Sequence, residues 1–453
     1  MNKTATKLSF KEKVGYGLGD TASHFVWDMV GFWILIFYTD TFGISAAAAG
    51  TIMLIARFWD MISDPIMGII ADKTNSRWGK FRPYILWMAL PYSVLAVLTF
   101  TTPDLGQTGK IIWAGITYFS LMTVFTAINL PYSSLGAVMT SDSYERAGLN
   151  SYRFIFAFIG QLIVSGTALT LAKYFGNGDN AKGYQITLIL FSIISFILFM
   201  ITFKTTKERV QPPKEQKEAL KEDFRNLIKN RPWLILFIVG IISFIMFAVQ
   251  NLSIAYYFKY YIGKEENVQL FNVIGTIALI VSIPFSKSLA KKFGKKNVFL
   301  ASSLISGLFF ILLYIPGEKD IISIYILNIL AKMAYAPAVP LLWTMLADTA
   351  DYSEWKSGRR STGLVFSAAT FAQKAGWGIG GALAGWLLVL FKFVPNVEQT
   401  ETALTGIKLM ISVIPGILYM SCAIFLFFYT IDKKTCEIMQ KDLEGRRVEE
   451  SVT

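Results

Sequence analysis

Twelve predominantly apolar stretches, each close to or beyond the roughly 20 residues that a helix needs to cross a bilayer, divide this chain. They run approximately over 18–39, 45–71, 83–102, 110–136, 151–174, 183–204, 233–261, 268–288, 298–316, 321–346, 362–391 and 405–431. Lipid offers no partner to a backbone N–H or C=O, so each stretch is expected to be a helix that satisfies its own groups. The fold class that follows is an all-α membrane protein of twelve transmembrane helices. Composition agrees: 54% of the 453 residues are hydrophobic and 16% charged, against about 45–50% and 25% in soluble domains. The chain has one histidine, His24, and two cysteines, Cys422 and Cys436. A zinc centre or a disulfide framework needs more than that, and no nucleophile–base set stands out. The sequence therefore predicts neither an enzyme nor a bound cofactor.

The formal charge of +12 reads as topology. A nucleic-acid module gathers its cations on one face, whereas here they fall in short clusters between apolar runs, which argues against nucleic acid. Lys3, Lys7, Lys11 and Lys13 precede the first span, and no small-residue cleavage site follows. That span is expected to be retained rather than removed as a signal peptide. The N-tail, alternate loops and C-tail hold 32 of the 43 lysines and arginines, and the other loops hold seven. Arg57, Lys332, Lys374 and Lys408 lie within or at the edge of spans. By the positive-inside rule both termini are cytoplasmic.

The chain also repeats itself. Trp78-Gly79-Lys80 after the second span returns 215 residues later as Phe293-Gly294-Lys295 after the eighth. Asp142-Ser-Tyr-Glu145-Arg146 after the fourth is echoed by Asp351-Tyr-Ser-Glu354 after the tenth. The organisation read from this is an N-tail over 1–14, a six-helix half over 15–204, a central loop over 205–231, a second six-helix half over 232–431 and a C-tail over 432–453. It resembles the plan of the major facilitator superfamily, two parallel halves with a substrate site between them.

An ionised side chain inside a membrane calls for a partner or a purpose. Arg57, Asp60 and Asp64 follow at spacings of three and four, so they share one face of span 2. Two acids one turn apart repel unless a cation or proton lies between them, and an alkali cation takes hard oxygen ligands; the alternative is a structural neutralisation by Arg57. His24 and Asp28, four apart on span 1, face a sugar's hydroxyls or lock the helix to a neighbour. On span 4, Pro131 frees the carbonyl of Ala127, and Thr126 and Asn129 share a face that completes a cation or sugar site or packs polar helices together. Thr370, Gln373 and Lys374 lie mid-span on span 11 among glycines that permit close approach. Lys374 is expected to face the cavity and pair with an acid of span 2. No metal site is expected beyond Na⁺ at Asp60 and Asp64.

Arg57-Phe-Trp-Asp60-Met-Ile-Ser-Asp64-Pro-Ile-Met-Gly68, Ser76-Arg-Trp-Gly-Lys-Phe-Arg-Pro83, Asn129-Leu-Pro-Tyr132 and Ala347-Asp-Thr-Ala-Asp351-Tyr-Ser-Glu354 resemble the glycoside-pentoside-hexuronide:cation symporter family, over essentially the whole chain. The resemblance implies a twelve-helix major facilitator fold in a bacterial inner membrane, surrounded by lipid. It implies carriage of a glycoside or oligosaccharide with Na⁺, H⁺ or Li⁺ by alternating access, with no obligatory protein partner evident. It maps the cation site onto Asp60 and Asp64 with Thr126, and the sugar site onto His24, Asp28, Asn129, Arg153 and Lys374. Asp348, Asp351, Glu354 and Arg360 match a cytoplasmic gate, with Asp142 and Arg146 as counterparts in the first half.

Where the melibiose branch places aspartates that grip galactosyl hydroxyls, this chain has His24 and Asn129, and Ser133 stands at a tryptophan position. Ser23-His24, Asp28 and Asn-Leu-Pro-Tyr-Ser resemble the xyloside and glucuronide branches instead. The expected substrate is a xyloside or other pentose-containing sugar. The alternatives are a glucuronide moved with H⁺, for whose carboxylate Arg153, Lys374 or protonated His24 would serve, a Na⁺-dependent amphiphile carrier, and a sensor that binds sugar without moving it.

Overall fold

The computed structural model describes residues 8–140, 143–209, 225, 227–358 and 362–452. Among these the chain forms helices joined by short loops, with one isolated bridge between Ser76 and Gly79. A capping box starts α1, Phe10–Ile36: Ser9 Oγ accepts from the Glu12 amide and the Glu12 carboxylate accepts from the Ser9 amide. It continues as a π-helical turn, Phe37–Phe42, closed by Gly43 at φ +80°. The first half is completed by α2 (Ala46–Lys73), α3 (Arg82–Thr99), α4 (Gln107–Met139), α5 (Ser143–Gly176) and α6 (Asn180–Thr205). In the second half α7, Arg231–Tyr256, also ends in a π-helical turn, Tyr257–Tyr261.

The remaining expected spans include three broken helices. Asn267–Ser282 (α8a) and Phe285–Phe293 (α8b) meet at a 51° bend, where Pro284 has no N–H to continue the ladder. After α9, Lys295–Leu312, the tenth span divides at Pro337 into α10a, Ile321–Tyr335, and α10b, Ala338–Ser357. α11 is Thr362–Leu390, and the last span divides at Ser412 into α12a, Glu401–Ile411, and α12b, Val413–Phe427. Ser412 leaves helical geometry at φ −120°, ψ −85° three residues before Pro415, whose ring would collide with the carbonyl four residues back. A terminal helix, α13, spans Lys433–Val452. Among the described residues nine helices are long and apolar enough to cross a bilayer unaided, ten with the bent pair. The 18-residue α3 and the glycine-rich α11 occupy the other two expected positions.

The packing is that of a bundle in lipid. Along α2, Ile55, Ile62, Ile66 and Ile69 are about half exposed, whereas Arg57 and Asp60 are buried. The helix thus presents its apolar face outward and its charges inward, the reverse of a soluble helix. Its inward face meets α11 closely: a β-carbon on Gly378 would lie 2.6 Å from Arg57 Cβ, and one on Gly385 would lie 2.3 Å from the Ala46 carbonyl oxygen. From the other side of α11, Gly376 and Gly380 meet Phe244 and Ala248 of α7 as tightly. Small residues let backbones approach where lipid gives no hydrophobic drive, and here they wedge α11 between the halves.

Candidate cation and sugar site

The wedge brings α11 onto the charges of α2. Lys374 Nζ lies 2.6 Å from Asp64 Oδ1, and the same oxygen accepts from Thr126 Oγ1 of α4 at 3.2 Å. Arg57 Nη1 donates to Asp60 Oδ2 at 3.0 Å. Asp60 has no exposed surface, and its Oδ1 is buried without a hydrogen-bond partner. Two carboxylates thus face two fixed cations. An orphaned buried carboxylate oxygen is costly, and it is the atom on which a small cation or a proton would be most stabilised.

The guanidinium of Arg57 lies 4.4 Å over the ring of Trp27 on α1, which stacks on Phe125 of α4 at 4.6 Å. Trp377 of α11 meets Trp27 edge-on at 6.2 Å. One turn before Trp27 on α1 stands His24, whose Nδ1 is 2.9 Å from Asp28 Oδ2. The α5 backbone comes close here because residue 160 is glycine; a β-carbon would lie 2.9 Å from His24 Cβ. Arg153 of α5 forks onto Asp20, with Nε–Oδ2 at 2.8 Å and Nη2–Oδ1 at 3.3 Å, and its guanidinium lies 5.2 Å from the ring of Tyr132. Asn129 is half-buried on α4, with Ser133 Oγ 3.5 Å from its Oδ1.

Asp20, His24 and Asp28 therefore form one ladder along α1. Sequence reasoning found the lower two rungs and missed Asp20, although the same four-residue step would have found it. It also passed over Trp27, which joins the α1 ladder to the α2 charges. The Arg153–Asp20 pair spans 133 residues, a separation that no local spacing reveals.

Toward the end of the bundle that carries the chain termini, Asp348 on α10b accepts from Lys295 at 2.7 and 2.8 Å. That lysine belongs to the repeated aromatic-Gly-Lys segment. In the first copy the Glu208 carboxylate accepts from the amides of Lys80, Phe81 and Arg82 at 2.8–2.9 Å. Asp351 and Glu354 continue along α10b. Asp142 and Arg360 lie outside the described residues, as does the side chain of Arg146. At the opposite end the contacts run between the halves. Asp40 takes hydrogen bonds from Lys259 and Tyr260, Asn396 Nδ2 donates to the Asp40 carbonyl at 2.6 Å, and Thr39 and Tyr256 share a 2.8 Å hydrogen bond. Both acid and lysine sit in the π-helical turns that end α1 and α7.

Known proteins share this fold. The solved structure of a D-xylose-proton symporter matches 94% of this chain and 99% of its own with a TM-score of 0.68 at 14% identity, a likeness of fold. The isoprimeverose transporter of Lactiplantibacillus pentosus is 34% identical over 449 residues, 98% of this chain and 93% of that protein. The inner membrane symporter YicJ of Escherichia coli (strain K12) is also 34% identical over 449 residues, 97% and 96% of the two. The model of the MFS/sugar transport protein family matches residues 15–433. The chain is a multi-pass membrane transporter and belongs to that family.

Proposed function

We propose that this protein carries a xyloside, or another pentose-containing glycoside, into a bacterial cell together with Na⁺ or H⁺. The observation that carries the coupling is the four-charge cluster of Arg57, Asp60, Asp64 and Lys374, in which Asp60 Oδ1 has no partner. The cluster is already neutral, so an added cation needs Lys374 to leave Asp64. Two unit charges 4 Å apart interact by about 4 kcal/mol at an effective dielectric near 20, roughly a thousandfold in affinity. A sugar that draws the Lys374 ammonium toward its hydroxyls removes that repulsion. The ion then binds Asp60 and Asp64 with the Thr126 hydroxyl, and by linkage the ion tightens sugar binding equally.

In this reading His24, Asp28, Asn129, Arg153 and Lys374 surround the sugar, and the halves over 15–204 and 232–431 rock about it. The loop over 205–231 and the tails over 1–14 and 432–453 are cytoplasmic. Asp142, Arg146, Asp348, Asp351, Glu354 and Arg360 latch that side between strokes. The membrane potential contributes about 2.3 kcal/mol per unit charge at 100 mV. Support for a pentose-containing substrate comes from the isoprimeverose transporter and from His24 and Asn129 in place of acids.

The test is sugar uptake into proteoliposomes under an imposed Na⁺ or pH gradient. Asp60→Asn and Asp64→Asn should each abolish gradient-driven accumulation. Undiminished accumulation in both variants overturns the assignment, and the gradient that drives the wild type names the ion.

A further inference from the structure

Lys332 on α10a is a buried ammonium, whereas Lys408, which donates to the Tyr261 hydroxyl, is half-buried. Arg57, Arg153 and Lys374 each face a carboxylate, whereas among the described residues Lys332 has none. Its Nζ donates to Gln250 Oε1 of α7 at 3.0 Å and lies 5.4 and 5.9 Å from the rings of Phe247 and Phe310. One amide oxygen and two ring faces offset only part of the cost of an ion taken out of water.

The surroundings are mostly apolar rings and aliphatic side chains, with a few amides set among them. Lys332 lines a cavity of about 180 Å³ with Asn251, Asn272 and Asn328 of the second half, and Phe32 of α1 and Gln161 of α5 close it from the first. That is room for about six waters. Gln250 is fully buried and its orientation is fixed, because a lysine only donates; its Nε2 is therefore a donor, and it has no partner. The Nδ2 groups of Asn251 and Asn272 are likewise buried and unpartnered. Asn328 gives its Nδ2 to the Phe271 carbonyl at 3.0 Å, which leaves its Oδ1 unpartnered. An ammonium that no carboxylate meets among the described residues thus lines a cavity edged by asparagine and glutamine amides. Neutral hydroxyls supply acceptors but no charge; a carboxylate supplies both, with about four lone-pair sites on two oxygens.

We infer that this cavity, which Phe32 closes one turn beyond Asp28 on α1, is a carboxylate subsite, and that the preferred substrate is a pentose-containing glycoside bearing a uronic acid. The inference rests on the proposed glycoside transport and adds the charge of the cargo. It also places the anion away from Arg153, which Asp20 holds, and leaves Lys374 to the sugar hydroxyls.

Counterflow in proteoliposomes of the full chain tests it with xylobiose and the acidic disaccharide glucuronosyl-xylose as probes. The wild type should show at least a tenfold lower half-saturation for the acidic sugar. Lys332→Gln should bring that ratio near one, and Lys332→Arg should keep most of it. If Lys332→Gln does not assemble, Asn272→Leu reads the same ratio. A wild type that exchanges xylobiose as well as or better than the acidic sugar overturns the subsite, as does a preference that survives Lys332→Gln. Exchange of neither sugar overturns the transport reading itself.

Discussion

Asp60 and Asp64 stand one turn apart on α2, yet their charges are met from different elements: Asp60 by Arg57 of its own helix, Asp64 by Lys374 from α11. Only the second contact joins the two halves, so in the proposed cycle Asp64 is the acid whose charge the rocking exposes or hides. Arg57 is held in turn by Trp27, one turn from His24, so on the proposed sugar site a sugar touching the α1 ladder presses on the guanidinium that fixes Asp60. A cation–π contact of this kind is worth about 0.5–2 kcal/mol, roughly 2- to 30-fold in coupling. Trp27→Ala is expected to reduce the sugar-induced tightening of cation affinity by that factor, and Trp27→Phe by less, as read by cation titration with and without sugar. Unchanged coupling in Trp27→Ala would remove the link. At this scale the sequence was most legible where partners share a helix. The spacings of Arg57, Asp60 and Asp64, and of His24 and Asp28, place each set on one face. Asp20 with Arg153 and Lys332 with Gln250 cross between helices, and the lack of a carboxylate beside Lys332 is a fact of packing that no spacing encodes.

Among the elements α11 does most to shape the site, because its glycines serve two neighbours at once. Gly378 and Gly385 admit α2, while Gly376 and Gly380 admit α7. Any β-carbon at 385 meets main-chain atoms of Ala46 and Gly50 that cannot turn aside. Overpacking of this kind costs about 1–3 kcal/mol. Gly385→Ala should therefore lower the melting temperature of the purified protein and weaken gradient-driven uptake, since Lys374 rides on the same helix. Gly115 on α4 has no atom within 4 Å of its β-carbon position, so Gly115→Ala should melt at or above the wild type through better helix propensity. Equal melting of the two variants would argue against the close approach. The apolar runs located the spans in sequence but not all their ends: α1 starts already at Phe10, α5 at Ser143, and α10b runs on to Ser357. The breaks at Pro284 and Pro337 had their prolines in view, but the break at Ser412 depends on how α12a meets its neighbours. The π-helical ends of α1 and α7 contain no proline, and each is followed by a glycine at positive φ, Gly43 and Gly263.

Across the whole molecule the internal repeat runs deeper than the aromatic-Gly-Lys segments that first revealed it. The helices α1 and α7 stand at corresponding places in the two halves, and both finish in a π-helical turn. Asp40 in one turn receives Lys259 from the other, with Tyr260 and Asn396 completing the contact. The Asp40 side chain is only 4% exposed, so the pair is shielded from the screening that makes surface ion pairs weak. These contacts pin the halves together at the end opposite the chain termini, and a carrier that alternates must release them to load from that side. Removing one partner of such a pair shifts the equilibrium by about 2 kcal/mol or more, roughly thirtyfold toward states in which that end is parted. Asp40→Asn, with spin labels on Thr41 and Lys264, is expected to lengthen the distance distribution relative to labelled protein that keeps Asp40. Opening at that end should then no longer limit exchange, so sugar counterflow should hold or rise while accumulation against a gradient falls. An unchanged distance distribution would mean that the π-turn contact follows the motion of the halves rather than restraining it.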